Sequence, residues 1–282
     1  MSIPSVNRLG GVHGAIALAS DRTGIDFNYL LGQAQVESGL RTNARPGTSS
    51  ATGLYQFIEQ SWLGVVKQHG AEHGLGWAAD SIKQTSSGRY VVGDAGARRA
   101  ILNLRTDATA AALMAAEHAS DNKAALEGHL GRSATGTDLY MAHFLGVGGA
   151  KRFLGAMENN ADRSAAALFP AAARANRNVF YASNGSPRSL GEVYQRFAAK
   201  LDKGAAAGGG TGLASDTLDA TPLDSDVEVV LGTEAQNGDR QWLASTLEQI
   251  NAARPATTTA SLLRPNPDTA RLAYLMLANL GA

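Results

Sequence analysis

Glu37 is placed to do acid/base chemistry. It follows Phe27, Leu30 and Ala34 by ten, seven and three positions, so in a helix all four share one stripe. Gly39, two positions on, is a helix-stop signal. A carboxylate in that last turn is expected to be partly buried and to face the negative end of the helix dipole, and both effects raise its pKa. A glutamate so raised keeps its proton near neutrality and can act as a general acid. The same spacing also fits an exposed or salt-bridged glutamate at a helix end. Downstream, Gly53-Leu54-Tyr55-Gln56-Phe57 forms a compact Gly-led segment before Ser61-Trp62.

Acid/base chemistry shared between two carboxylates would need a partner for Glu37. The stretch from Gly39 to Ile58 contains no Asp or Glu, and Glu59 follows directly after it. A second carboxylate would have to come from further along the chain, with Glu117 the first candidate and Asp80 and Asp138 behind it. Metal and cofactor chemistry are not invoked. The chain has 6 His and no Cys, and His69 and His73, four apart, sit at an expected helix end ahead of Gly74 rather than within a zinc-protease helix. With 25 basic and 25 acidic side chains the net charge is zero, which argues against a polybasic nucleic-acid surface. The opening residues read as an amphipathic helix rather than a basic-then-apolar secretory signal. No apolar run reaches the roughly 18 residues of a membrane span.

The elements that must position these residues read as helices throughout. Helices are expected over Val12–Arg22, from an Asp26 cap to Gly39, and from near Ser61, with a polar loop between Arg41 and Thr52. Residues 74–96 read as irregular. Ala97–Leu104, Asp107–Ala119 and a short Asn122-capped stretch through Leu130 follow. A Thr137-capped helix carrying Tyr140 and His143 is expected to break at Gly146, Gly148 and Gly149 and to resume over Ala150–Glu158. A short helix over Ser164–Phe169 and an amphipathic one over Leu190–Leu201 complete this body. The expected fold is therefore all-α, or α+β with minimal β. Its organisation is residues 1–202 as the main domain, a Gly/Ala-rich linker over 203–222, and a small helical C-terminal region over 223–282 suited to a protein partner.

Gln35-Val36-Glu37-Ser38-Gly39, followed by Gly53 to Phe57 and Ser61-Trp62, resembles the motif pair of lytic transglycosylases of the soluble-lytic-transglycosylase family, whose fold is that of goose-type lysozyme. The third motif, usually Ala-Tyr-Asn-Ala-Gly, is met here by Ala142-His143-Phe144-Leu145-Gly146, with His and Phe in place of Tyr and Asn. The likeness runs over residues 12–201 and is similar to an alphaproteobacterial subgroup. It implies a lysozyme-like domain with Glu37 as the catalytic acid/base. It further implies that Ser38 lies beside the cleft, that Gln56 hydrogen-bonds the glycan, and that Gly53 serves a special dihedral or a close backbone approach. Tyr55 would stack on sugar or pack in the wall. Tyr140 or His143 would take over the role of the usual Tyr. Glu117 would face the cleft or form a salt bridge at its edge.

The reaction this resemblance implies is cleavage of the β-1,4 bond between N-acetylmuramic acid and N-acetylglucosamine in peptidoglycan. Glu37 acts first as acid and then as base, and the product end is 1,6-anhydromuramic acid. The alternatives are a lysozyme-like muramidase hydrolysing the same bond, and a wall-binding component of a secretion, flagellar or virion-type apparatus. The implied place of action is the periplasm or the cell wall, and the implied partner is the glycan strand.

Overall fold

Asp26 ends one connection and starts the helix that matters most: its carboxylate accepts from the Tyr29 amide, and the helix runs Phe27–Ser38 (α2) behind α1, Val6–Thr23. Leu30, Leu31 and Ala34 are fully buried, so the middle of α2 lies inside the fold while both ends are partly exposed. The structure is a computed structural model that describes residues 6–45 and 50–215. The predicted region 223–282 and the later part of the predicted linker lie outside the described residues.

Helix α3 spans Glu59–His69 and buries Trp62, whose indole N–H donates to the Ile101 carbonyl at 2.8 Å. A 3-10 turn, Gly70–His73, leads to α4, Gly76–Ser81. The stretch 74–96, expected to be irregular, instead holds α4 and a hairpin of β1, Ile82–Gln84, and β2, Tyr90–Val92, in antiparallel register Ile82↔Val92. Gln60 holds that hairpin on α3, donating to the Tyr90 carbonyl and accepting from its amide, both at 2.9 Å. This long-range anchor stands in for the alternating pattern that would have marked the strands. Helix α5 covers Ala95–Asn103.

Helix α6 is continuous over Ala108–Leu130, where a break before Asn122 was expected. Tertiary contacts override the capping preference: Asn122 is buried and Asp121 pairs with His69 Nε2. Helix α7, Gly136–Asn159, is capped by Thr135 rather than Thr137, with Asp138 closing a capping box. Such a cap is worth about 1 kcal/mol. The expected break falls at Gly146, where φ 72° and ψ 162° kink the helix. Three short helices, α8 (Ala165–Leu168), α9 (Pro170–Ala175) and α10 (Arg177–Phe180), lead to α11, Leu190–Ala207.

The predicted linker begins inside α11. Gly204 and Ala205 are buried against α2, and a Cβ on Gly204 would stand 2.8 Å from the Gly32 carbonyl oxygen. The small residues here serve a close helix crossing, not flexibility. The chain beyond is also fixed. Asp202 accepts from the amides of Ala214 and Ser215 at 2.8 and 2.9 Å, and Ala214 is buried. Residue 202 therefore does not end the packed body, which extends through Ser215. Among the described residues the architecture is helical with one two-stranded hairpin, the all-α class with minimal β expected from the sequence. No helix among them is long and apolar enough to cross a membrane.

Candidate active site

The end of α2 is shaped by two successive left-handed residues, Gly39 at φ 60° and Leu40 at φ 58°. Arg41 Nε donates to the Ser38 carbonyl at 2.8 Å and satisfies one of the terminal acceptors. The chain then turns away, and Glu37 is left on the last turn with 20% of its side chain exposed, enough for a ligand to reach the carboxylate.

Helix α7 supplies the partners of Glu37. Tyr140 and His143, one turn apart, converge on a single oxygen: the Tyr140 hydroxyl donates to Oε1 at 3.2 Å, and His143 Nε2 lies 3.4 Å from it. Among the described residues no hydrogen bond or ion pair falls on Oε2. Behind this pair stands an aromatic wall. Phe197 of α11 meets Tyr140 edge-on with centroids 5.3 Å apart and Phe144 at 4.9 Å. Lys200, one turn further along α11, holds its ammonium 5.9 Å from the Tyr140 ring centroid. Helix α11 packs on both α2 and α7, and this brings the four side chains together.

The charge state of Glu37 differs from the expectation. Burial pushes its pKa up, as anticipated. The His143 hydrogen bond and charge, the charge of Lys200 and the Tyr140 hydroxyl together outweigh burial and leave the carboxyl below its ordinary value. Glu37 is thus a resting carboxylate with proton donors around it, not a pre-protonated acid. Tyr140 moves the other way: burial and the adjacent Glu37 charge keep its phenol protonated, as a donor requires.

The second motif builds the wall beside α2 rather than the contact surface. Gly53 sits at φ +86°, and a Cβ there would lie 1.8 Å from the Arg105 carbonyl oxygen, so both predicted reasons for glycine hold at once. Arg105 is buried and donates to the carbonyls of Ser50 and Phe57, each at 3.0 Å, pinning the loop from inside. Gln56 is held at φ +49°, and its amide nitrogen donates to the Gly53 and Ala44 carbonyls at 2.7 and 3.1 Å. That donor is committed to the loop and not to a glycan, while the strained backbone is of the kind found at functional sites.

Tyr55 takes one of its two expected places, and Ser38 departs from its own. Tyr55 is 1% exposed and its hydroxyl donates to the Leu30 carbonyl at 3.1 Å, so it packs in the core and does not stack on sugar. Ser38 is buried and bonds back to the Ala34 carbonyl at 3.0 Å, the ordinary helix-interior bond of a serine, so it does not line the surface.

The suspects for a second carboxylate all lie elsewhere. Glu117 is taken by His73 and His69. Asp138 is fully buried between the Thr135 cap, Arg132 and the Tyr194 hydroxyl. Asp80 is exposed, and Glu59 is paired with Arg98. Among the described residues, the charged groups that act on Glu37 are His143 and Lys200. Sequence reasoning missed Lys200, because its partner lies 163 residues earlier in the chain and nothing in its own helix marks it. It also passed over His118, next to Glu117, which faces Phe57 with ring centroids 6.4 Å apart and is pulled down to about 4 by burial and by the His143 charge.

A surface hollow lined by Arg45, Arg98, Arg99 and Arg105 contains neither Glu37 nor any of its partners. No known protein-family model matches this chain.

Proposed function

We propose that this chain cleaves peptidoglycan glycan strands as a lytic transglycosylase, acting on the bond between N-acetylmuramic acid and N-acetylglucosamine. The observation that carries the reading is the asymmetry of Glu37: Oε1 is anchored by Tyr140 and His143, and Oε2 is uncommitted, with no carboxylate placed against it among the described residues. The motif order Glu37-Ser38 followed by Gly53 to Phe57 supports the same reading.

In this mechanism a bound strand covers Glu37 and His143. Shielding from water disfavours separated charges, so the proton of the pair moves from the imidazole to the carboxylate. The carboxyl rotates to bring the protonated oxygen to the strand, and Glu37 donates that proton to the departing glycosidic oxygen as the C1–O bond breaks. The positive sugar centre is stabilised by its own N-acetyl group. Glu37, again a carboxylate, takes the proton of the muramic 6-hydroxyl as that oxygen bonds to C1. No water is consumed. The tethered hydroxyl has the advantage of a high effective concentration over solvent. A substrate of this kind places the protein in the periplasm or at the wall.

The test is digestion of purified sacculi in heavy-oxygen water, followed by mass analysis of the released muropeptides. The expected product ends are anhydro, lighter than reducing ends by one water, and unlabelled. Glu37→Gln is expected to fold and to release nothing. Labelled reducing ends would make the protein a muramidase, and full activity in Glu37→Gln would remove Glu37 from the chemistry.

A further inference from the structure

A second group of titratable side chains lies outside the Glu37 site. The end of α3, the 3-10 turn after it and the middle of α6 bring together His69, Glu72, His73, Glu117 and Asp121. One donor atom from each of His69, Glu72 and Glu117 lies within 4.8 Å of the other two.

Both inner groups are oriented from behind. Asp121 Oδ2 sits 2.9 Å from His69 Nε2. A carboxylate accepts there, so Nε2 carries a proton, and Nδ1, 3.5 Å from Glu117 Oε2, is the nitrogen left to hold a proton or a cation. The other Glu117 oxygen, Oε1, accepts from His73 Nε2 at 2.6 Å. His73 has 5% of its side chain exposed, and its buried Nδ1 has no hydrogen-bond partner. A proton on that nitrogen would leave an N–H unmet, at a cost of about 1–3 kcal/mol, which fixes the hydrogen on Nε2. Among the described residues no Lys or Arg pairs with Glu72, Glu117 or Asp121. An imidazole nitrogen and two carboxylates therefore point at one another, an arrangement that calls for a positive centre between them.

We propose that this point is a divalent-cation site of the zinc class, with His69 Nδ1, Glu72 and Glu117 Oε2 as ligands. Asp121 and His73 are the outer partners that orient His69 and Glu117. One imidazole nitrogen with two carboxylate oxygens suits zinc better than magnesium or calcium, which prefer oxygen alone. Zinc bonds of about 2.0–2.2 Å set tetrahedral neighbours roughly 3.3–3.6 Å apart, so the 3.5 Å pair already has the required spacing. Glu72 is exposed on the turn and closes the remaining distance by side-chain rotation. The ion would clamp the end of α3 and its turn onto α6, with water completing its coordination. The site does not depend on the reaction assigned to Glu37.

The experiment uses the tag-free full chain, stripped with a chelator and titrated with zinc chloride by calorimetry and by thermal denaturation, with magnesium chloride as control. One zinc per chain and a raised melting temperature are expected, with no response to magnesium. Glu72→Gln should weaken binding by about tenfold or more without changing the melting temperature of the stripped protein, and Glu117→Gln should weaken it also. Glu37→Gln should bind zinc like the parent. An absence of zinc binding would mean that a proton on His69 fills the gap instead. Binding unchanged by Glu72→Gln, or abolished by Glu37→Gln, would place the ion elsewhere. Each of these outcomes overturns the proposal.

Discussion

His143 Nε2 lies 3.4 Å from Glu37 Oε1, and this contact joins the C-terminal turn of α2 to the middle of α7 across 106 residues of sequence. It is the foremost of the contacts that lower the Glu37 pKa against the rise that burial alone would give.

Replacing His143 by alanine removes both the hydrogen bond and the charge, leaving burial opposed by Lys200 and Tyr140. The Glu37 pKa is expected to rise, and a carbon-13 titration of the carboxyl, with Glu37→Gln for assignment, measures it. Muropeptide release near neutral pH should fall by about a hundredfold, the scale of a lost acid/base partner. The remaining activity should disappear at a pH that follows the new Glu37 titration, since the donor must be protonated. A lowered folded-state pKa also means that ionised Glu37 contributes stability above the ordinary glutamate range, lost as pH falls through the lowered value. In His143→Ala that acid-side loss should shrink, because the folded-state value moves toward the unfolded one. An unchanged Glu37 titration would show that His143 does not set its charge.

Tyr55→Phe separates core from cleft. The hydroxyl donates to the Leu30 carbonyl at 3.1 Å, in a side chain 1% exposed. Its removal should lower stability by about 1 kcal/mol and leave KM for peptidoglycan fragments unchanged. A KM raised tenfold with unaltered melting would return Tyr55 to the substrate surface.

Limited proteolysis addresses the segment read as a linker. Residues 203–215 should resist cleavage, because Gly204 and Ala205 are buried on α2 and Asp202 binds the amides of Ala214 and Ser215. A chain ending at residue 202 should melt at a lower temperature than one ending at residue 215. Equal melting of the two, with early cuts between residues 203 and 215, would restore the boundary at 202.

What was legible from sequence follows from local physics. The Asp26 cap, the Gly39 stop and the stripe of Phe27, Leu30, Ala34 and Glu37 fix α2 and put a carboxylate at its end, because caps and helical periodicity act within a few residues. Gly53 was marked for the same reason: a glycine leading a tight segment is a backbone requirement, and its φ of +86° meets it. The helical class was legible in the repeated 3.6-residue spacing.

Tertiary structure alone decided what those residues face. Tyr55 and Ser38 went inward because the loop folds over α2, which no periodicity reports. The Gly/Ala composition near residue 204 looks the same in a flexible linker and in a tight helix crossing, and only the presence of α2 distinguishes them. The pKa shift of Glu37 was anticipated with the wrong sign, since burial and the dipole come with the helix itself, whereas His143 and Lys200 come from α7 and α11. Electrostatic interaction falls with distance in space and is indifferent to separation along the chain, so the groups that set the chemistry of Glu37 were fixed only when three helices met.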